Sequence, residues 1–323
     1  MRRRNDVTRP SANEVRVIRF RVSPLRPVRA GTHDSHARKH RAPLLLAAAA
    51  LAFLTLGVPA PAEAAGTVHY MSPKGNDSAS GTASHPWRTL YASLRKLHAG
   101  DTLYVRGGTY PWSGTHYSSL AGTATRPIRI TNYPGETPVF SGSGSPANWL
   151  FFDGNAAYVT LHGLVVKGGG AVASSAGSSL IGFTDNTNHI TLDHMRLYAG
   201  ASWTTTQHLV YFEANSVNDI TIKYSVFDGA GCKCTGLISL YHDPNAVRVN
   251  ITRNTFRNAD QAILIWSNAS VIRITSNTFT KTRIAVRHHN SNGTLVSGNR
   301  GTGVSIGVAA DSRANLSVTG NSW

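Results

Sequence analysis

The chain has 323 residues and only two cysteines, Cys232 and Cys234, which exclude a fold framed by several disulfides. Residues 1–64 hold 12 Lys/Arg and 4 Asp/Glu, so half of the formal net charge of +16 lies there and +8 remains on the rest. A moderately basic remainder is compatible with an anionic polymer partner, and no helix-turn-helix, zinc-finger or ribonucleoprotein motif indicates nucleic acid. From the sequence alone, the two cysteines could form a disulfide with each other, remain as two free thiols or form an intermolecular bond.

Residues 1–64 are predicted to form a leader. Basic residues at 38–41 precede an apolar run at 44–58, and Ala62–Ala64 offers a small-residue cleavage site. The apolar run is too short for a comfortable membrane span. We therefore predict an exported protein with no membrane anchor after cleavage, in which residues 65–323 form a single domain.

Residues 86–99 are predicted to form a helix. Leu90, Leu94 and Leu97 would share one face, and Gly100 would end the helix. Because an exposed sheet edge invites aggregation, we expect this helix to cover the first turn of the domain.

An eight-residue pattern then recurs with first residues Val159, Ile190, Ile220, Val249, Ile272, Thr294 and Leu316. The steps between these residues are 31, 30, 29, 23, 22 and 22. Apolar residues alternate within each copy, which indicates a half-buried strand, and shorter strands precede and follow it. Three strands per repeat without a helix predict an all-β fold, a parallel β-helix of about eight to nine coils.

Two residue types recur in register within the repeats. Asparagine occupies the sixth position at 254, 277, 299 and 321, and phenylalanine the eighth at 227, 256 and 279. Like residues stacked at the strand spacing of about 4.8 Å can form ladders. We predict an internal asparagine ladder in which each side chain bonds the backbone of the next coil, although asparagine also simply favours turns.

The segment at residues 67–142 resembles a known superfamily. The motifs that carry the likeness are Ser72–Asp77, Gly81-Thr82, Pro86–Leu90, Gly100–Tyr110, Arg126–Ile130 and Tyr133–Val139. They are similar to the opening of right-handed parallel β-helix polysaccharide lyases of the pectate-lyase and chondroitinase-B type. The resemblance implies a right-handed winding, an N-terminal capping helix and a secreted protein that acts on polysaccharides. It also implies acidic calcium-binding clusters and a Lys or Arg base.

Strand alternation places one column of side chains on the outer surface. It comprises Asp153, Thr184, Glu213, Tyr241, Trp266 and His289, with Tyr211, Arg287, His288, His242 and Asp243 beside it. The extra residues of the longer coils, at 200–207 and 229–236, would wall this face and create a cleft. A register error of one residue would turn the column to the other side of the strand.

These side chains suit β-elimination on a uronate polymer. Arg287 could clamp the carboxylate, His289 or His242 could move the proton, and Tyr241 could act as acid or base. Trp266, Tyr211 and His288 are the predicted substrate-binding residues. Glu213 and Asp243 are predicted ligands for a hard cation such as calcium.

Alternative sites and functions remain open from the sequence. His162, Asp193 and Lys223 share an outward place in three successive coils, either as an exposed ion pair or with Lys223 as the lyase base. A non-catalytic glycan-binding or surface structural module is the second hypothesis. Glycoside hydrolysis ranks third, because Asp153, Glu213 and Asp243 are separated by whole coils or turns.

Overall fold

A computed structural model gives the fold of the chain from residue 66 onward. The structure describes residues 66–143, 148–169, 178–200, 203, 207–213, 216–232, 234, 236–241, 247–266, 269–291, 293–311 and 315–323. The predicted leader at residues 1–64 lies outside these residues, as do His242 and Asp243.

The described elements are short strands and one helix. In the first half of the domain they are β1 (Val68–Met71), α1 (Leu90–Leu94), β2 (Thr102–Val105), β3 (Gly108–Trp112), β4 (Tyr117–Ser118), β5 (Ile128–Asn132), β6 (Pro138–Gly142), β7 (Leu150–Phe152), β8 (Ala157–His162), β9 (Val165–Lys167), β10 (Ser178–Phe183), β11 (Asn188–Asp193) and β12 (Arg196–Tyr198). In the second half they are β13 (Gln207–Phe212), β14 (Asn218–Lys223), β15 (Val226–Asp228), β16 (Ile238–Tyr241), β17 (Val247–Thr252), β18 (Thr255–Trp266), β19 (Ser270–Thr275), β20 (Thr278–Asn290), β21 (Thr294–Ser297), β22 (Arg300–Ala310) and β23 (Leu316–Thr319).

The strands stack in parallel, one coil on the next, which confirms the predicted β-helix. Within the described residues the strand that carries the repeat forms a ten-stranded sheet in the order β1-β2-β5-β8-β11-β14-β17-β19-β21-β23. We call this sheet A. Its register follows the repeat, so that Ile190 pairs with Val159 and Ile220 with Val249. Seven of its ten strands carry the repeat, and β1, β2 and β5, which the repeat pattern does not include, extend the sheet beyond the predicted eight to nine coils.

The core is a column of apolar residues inside the coils. The alternating residues Ile190, Leu192, Ile220 and Ile222 are each 0% exposed. The phenylalanine column is stacked: the rings of Phe227 and Phe256 lie 4.9 Å apart and those of Phe256 and Phe279 lie 5.0 Å apart, with interplanar angles of 12°. Trp323 continues this stack, with its ring 5.7 Å from that of Phe279. Each coil therefore buries its apolar face mainly against its neighbours, as expected of a solenoid.

The cross-section changes along the axis. In the longer coils, short strands such as β15 and β16 are separated by the loop at 229–237, whereas β18, β20 and β22 run for 12, 13 and 11 residues without a break. The last repeats are 22 to 23 residues long and have no residues to spare for a loop. Two of the three predicted strands per coil therefore fuse into one bent strand.

The N-terminal helix is shorter than predicted. It spans Leu90–Leu94 instead of 86–99, with Thr89 as N-cap. The backbone before it is extended, because Trp87 N–H donates to Tyr70 O and Trp87 O accepts from Ser72 N–H. Leu90 and Leu94 still pack into the core beside Met71. No helix in the described residues combines the length and the apolarity needed to cross a bilayer.

The four asparagines form one stack, which we call the asparagine stack (Asn254, Asn277, Asn299, Asn321), and all but the last, Asn321, are buried. Asn254 N–H donates to Asn277 Oδ1, and Asn277 N–H donates to Asn299 Oδ1, each at 2.9 Å. The Nδ2 amide of Asn277 donates to Ile251 O at 2.9 Å. Each side chain thus bonds the backbone of the preceding coil, not of the next coil, because the amide points back along the axis.

Replacing Asn277 with Ala is expected to lower the free energy of unfolding by about 1–3 kcal/mol. The side chain is 1% exposed, and its loss leaves Asn254 N–H and Ile251 O buried without this partner. Urea denaturation measures the change. Asn250→Ala, on the outward face of β17, is the matched control and should cost less than half as much. Equal losses in the two variants would contradict the structural role of the stack.

The two cysteines form a disulfide, Cys232–Cys234, which settles the alternatives that the sequence left open. The described residues contain no free cysteine. The bond lies in the loop between β15 and β16, and Cys234 is 1% exposed. An intermolecular bond through either residue is therefore excluded while this disulfide is intact.

Candidate active site

Three aromatic side chains line the outer surface at the ends of β16, β18 and β20. The rings of Trp266 and His289 stack with centroids 3.8 Å apart, and Tyr241 meets Trp266 edge-on at 5.7 Å. Trp266 is 42% exposed. The predicted column therefore brings Tyr241, Trp266 and His289 together as one partly exposed aromatic surface that suits contact with a sugar ring, with His289 covering one face of Trp266.

A β-bulge sets the position of His289. His288 pairs with Ile265 and Asn290 pairs with Trp266, so His289 is the extra residue between two paired positions. Bulges occur where a side chain is re-aimed next to a functional site. The extra residue lets the imidazole of His289 lie over Trp266 while Arg287 stays paired with Leu264.

Asp311 connects Arg287 and His289. Arg287 Nη2 donates to Asp311 Oδ1 at 2.8 Å, and His289 Nδ1 bonds Asp311 Oδ2. The bond from His289 and the charge of Arg287 hold the pKa of Asp311 below its usual range. An ionised carboxylate only accepts hydrogen bonds, so Nδ1 of His289 carries a hydrogen, and in the neutral form of the ring the lone pair is therefore on Nε2. The arrangement prepares His289 to accept a proton at Nε2.

Asp311 was not among the residues predicted from the sequence, although the repeat contains the signal. It lies 22 positions after His289, and the last steps of the repeat are 22. The outward column had been followed only as far as His289. Extending it by one more step would have placed a carboxylate beside the imidazole.

Two predicted substrate-binding residues do not face the surface. His288 is 0% exposed and its Nε2 bonds Ser291 Oγ at 2.8 Å, because the residue paired with buried Ile265 points inward. Tyr211 is 6% exposed and its ring stacks on His208 at 4.8 Å. Burial, followed by the negative charges near it, raises the pKa of Tyr211 to about 12. Neither side chain offers a surface to a polymer in this structure.

Glu213, a predicted metal ligand, lies among other carboxylates. Burial and the charge of Asp185 raise the pKa of Glu213, and the same two causes raise the pKa of Asp153. Asp185 therefore interacts with both residues, which belong to the coils before and after its own. Carboxylate oxygens that repel one another are a donor set that suits calcium. Asp243, the other predicted ligand, lies outside the described residues.

The second predicted cluster is also assembled, on sheet A. Asp193 pairs with His162 on one side and Lys223 on the other. Asp193 Oδ2 lies 3.2 Å from His162 Nδ1 and 4.0 Å from Lys223 Nζ. His194, which the sequence analysis did not select, bonds Asp193 Oδ1 through its Nδ1 at 2.7 Å.

A groove of about 630 Å³ runs along the outer face of sheet A. A row of polar side chains forms its floor: Thr160, Thr191, Thr221, Asn250 and Arg273. Tyr158 and His189, near the starts of β8 and β11, also line the groove, and their rings stack at 4.2 Å. The groove has the polarity of a glycan-binding surface, and the sequence analysis did not predict it.

Comparison with protein families gives a match over most of the chain. A family model described as the Pel9A-like, right-handed β-helix region matches residues 69–311. That range contains Arg287, His289 and Asp311 as well as the second cluster. The family description also gives the right-handed winding that the resemblance implied.

Individual relatives match shorter stretches. The chain is 35% identical over 82 residues to Pectate lyase PEL9 of Emericella nidulans, an alignment that covers 24% of this chain and 20% of that protein. It is 38% identical over 98 residues to the uncharacterized protein YwoF of Bacillus subtilis, covering 30% of this chain and 20% of that protein. The matches thus span about a fifth of the length of these relatives. A solved GH136 lacto-N-biosidase from Eubacterium ramulus shares the fold, with a TM-score of 0.52 at 13% identity over 73% of this chain and 56% of that one.

Proposed function

Because the chain belongs to the family of Pel9A-like right-handed β-helix proteins, we propose that it is a polysaccharide lyase that cleaves uronate-containing glycans by β-elimination. The observation that carries the proposal is the arrangement of Arg287, His289 and Asp311 beside the exposed ring of Trp266. It supplies a cation for the uronate carboxylate, a proton acceptor and a platform for the sugar.

The reaction follows from these groups. The exposed part of Trp266 contacts the sugar, and the N–H groups of Arg287 that do not bond Asp311 neutralise the uronate carboxylate. That neutralisation acidifies the proton on C5, which His289 Nε2 removes. The electron pair of the C5–H bond forms the C4=C5 double bond, and the bond from C4 to the glycosidic oxygen breaks. The leaving oxygen takes a proton from the Tyr241 hydroxyl or from water.

Asp311 keeps the base ready for its task. Its carboxylate fixes the imidazole tautomer and stabilises the imidazolium that forms when Nε2 takes the proton. It also holds the Arg287 guanidinium on the same side as the ring. His242, the other predicted proton carrier, lies outside the described residues and has no part in this proposal.

Calcium has candidate ligands on the same face. We propose that Glu213 would contribute a ligand to a calcium ion, whose charge would favour the ionised form of a carboxyl group whose pKa is raised by burial and by the charge of Asp185. Calcium bound there would add a second positive charge for the anionic polymer. The steps at His289 and Arg287 do not depend on it.

The alternative is a non-catalytic glycan-binding module, and the groove on sheet A favours it. Its floor of hydroxyl and amide groups and the ring pair of Tyr158 and His189 are suited to an extended sugar chain without any base in place. Glycoside hydrolysis ranks below both, because the carboxylate of Asp311 is engaged by Arg287 and His289.

The test is an ultraviolet assay for unsaturated uronate. The purified protein is incubated separately with pectate, alginate, chondroitin and hyaluronan, with calcium and with a chelator. A rising absorbance with any of these polymers supports a lyase, and loss of the signal in chelator supports the calcium proposal. No signal with any polymer, combined with retention of the protein on immobilised polymer, would replace the lyase with the binding module.

Export is part of the proposal. The leader predicted at residues 1–64 and the Cys232–Cys234 disulfide both suit a protein that works outside the reducing cytosol. Large anionic polysaccharides of the kind proposed as substrate are met there. N-terminal sequencing of the secreted protein should place the first residue near Ala65.

A further inference from the structure

A cluster of histidine and aspartate on sheet A is not used by the proposed reaction. His162 ends β8 and Asp193 ends β11, so the two side chains are paired across adjacent coils. His194 follows directly and begins the turn, with a positive φ of 51°. This turn conformation, unusual for a residue with a side chain, carries the His194 imidazole back to the Asp193 carboxylate.

The cluster presents three donor atoms to one point. One nitrogen from each imidazole and one carboxylate oxygen all lie within 4.8 Å of one another. Zinc binds such atoms at about 2.0–2.2 Å, which puts two ligands of a tetrahedral site roughly 3.5 Å apart. Asp193 Oδ2 lies 3.2 Å from His162 Nδ1, and Asp193 Oδ1 lies 2.7 Å from His194 Nδ1. Small rotations of the side chains would therefore seat an ion without moving the strands.

We propose that His162, Asp193 and His194 bind a divalent transition-metal ion of the zinc class. Two imidazoles and one carboxylate select zinc, cobalt, nickel or copper over calcium and magnesium, which prefer sites made wholly of oxygen. Three protein ligands leave one position of a tetrahedral ion open. The site is half-exposed, so the ion would reach it directly from solvent.

Neighbouring groups hold the ligands in place. The ring of Tyr224 stacks on His194 at 5.1 Å with an interplanar angle of 23°, and Arg253 Nη1 donates to the Tyr224 hydroxyl. Lys223 is the cation that pairs with the cluster, with its Nζ 4.0 Å from Asp193 Oδ2. Its side chain is 36% exposed and can turn into solvent when an ion replaces its attraction to Asp193.

Zinc titration of the whole chain, freed of metal with a chelator, tests the proposal. Calorimetry should find one zinc ion bound per unaltered chain. In His162→Ala and in His194→Ala this binding should be lost, with the affinity for zinc reduced at least tenfold. Cobalt should give the absorption bands of a tetrahedral site in the unaltered chain and lose them in both variants. Neither readout depends on activity against a polysaccharide, so failure here is distinguishable from failure of the lyase proposal.

His189→Ala is the matched control. His189 is also an exposed histidine of sheet A, near the start of β11, with a positive φ of 52° and Nε2 3.7 Å from an Asp219 oxygen. Its loss should leave zinc stoichiometry and the cobalt bands unchanged. The proposal is overturned if no zinc binds, if His162→Ala and His194→Ala keep the same affinity, or if His189→Ala removes the same ion. Melting temperatures without metal identify any variant that has lost its fold.

Discussion

Lowering the pH from 7 to 4 is expected to reduce the free energy of unfolding by about 3 kcal/mol through His208 alone. His208 is 7% exposed, and burial lowers its pKa to about 4. Its Nδ1 lies 3.0 Å from Gly236 O, a group that only accepts, so the buried ring is neutral with its hydrogen on Nδ1. The unfolded chain takes up a proton below about pH 6.5, whereas the folded chain does so only near pH 4. Stability is therefore complete above pH 6.5 and falls as the pH drops between these two values.

Urea denaturation at pH 7, 5.5 and 4 measures this loss, and His208→Gln isolates it. A glutamine amide can donate to Gly236 O but does not titrate, so the stability of the variant should fall less with pH. His116→Gln is the comparison, because burial also lowers the pKa of His116 and its Nδ1 bonds Trp149 O at 2.8 Å. Protonation of carboxylates at low pH also lowers the free energy of unfolding, but by the same amount in all three proteins. Parallel curves for the unaltered chain and His208→Gln would show that the buried histidine does not govern the acid response.

The fold could be predicted from the sequence because every coil of a solenoid has the same alternation of inward and outward residues and follows the previous coil at a similar spacing. Alternation at Ile190 and Leu192 gives the inward face, and the period gives the neighbour in the next coil. The direction of the bonds in the asparagine stack could not be predicted, because spacing places Asn277 beside Asn299 without saying which backbone its amide faces. Helix α1 was overestimated because Trp87 pairs with backbone instead of starting the helix.

The candidate site depends on local details that the length of the repeat does not determine. A one-residue bulge after His288 places the ring of His289 over Trp266, and alternation alone cannot indicate where a bulge falls. Tyr211 follows the predicted outward parity but is covered, since parity gives a direction and says nothing about what packs over it. His194 was missed because it sits in a turn, where alternation does not apply.

Arg287→Ala and His289→Ala are each expected to reduce lyase activity by roughly 10²–10⁴-fold, the range for loss of a positioned acid–base group. His289 is the proposed proton acceptor and Arg287 the proposed partner of the carboxylate, so each loss leaves one step of the elimination without its group. The measurement is the rate of unsaturated uronate formation on whichever polymer the unaltered protein cleaves. Lys223→Ala should keep full activity, since Lys223 lies beside Asp193 on sheet A and not at this site.

Arg283→Ala is the matched control for the loss of an Arg–Asp pair. Arg283 lies on the same strand as Arg287 and bonds Asp260 through two nitrogens, but neither residue lies at the aromatic column. Asp311→Asn tests the positioning role: it should lower the rate, because the carboxylate that bonds both Arg287 and His289 loses its charge. Full activity in His289→Ala with loss in Lys223→Ala would move the catalytic base to the cluster on sheet A. If Arg283→Ala and Arg287→Ala lost equal activity, the effect of replacing Arg287 would be explained by folding and not by catalysis.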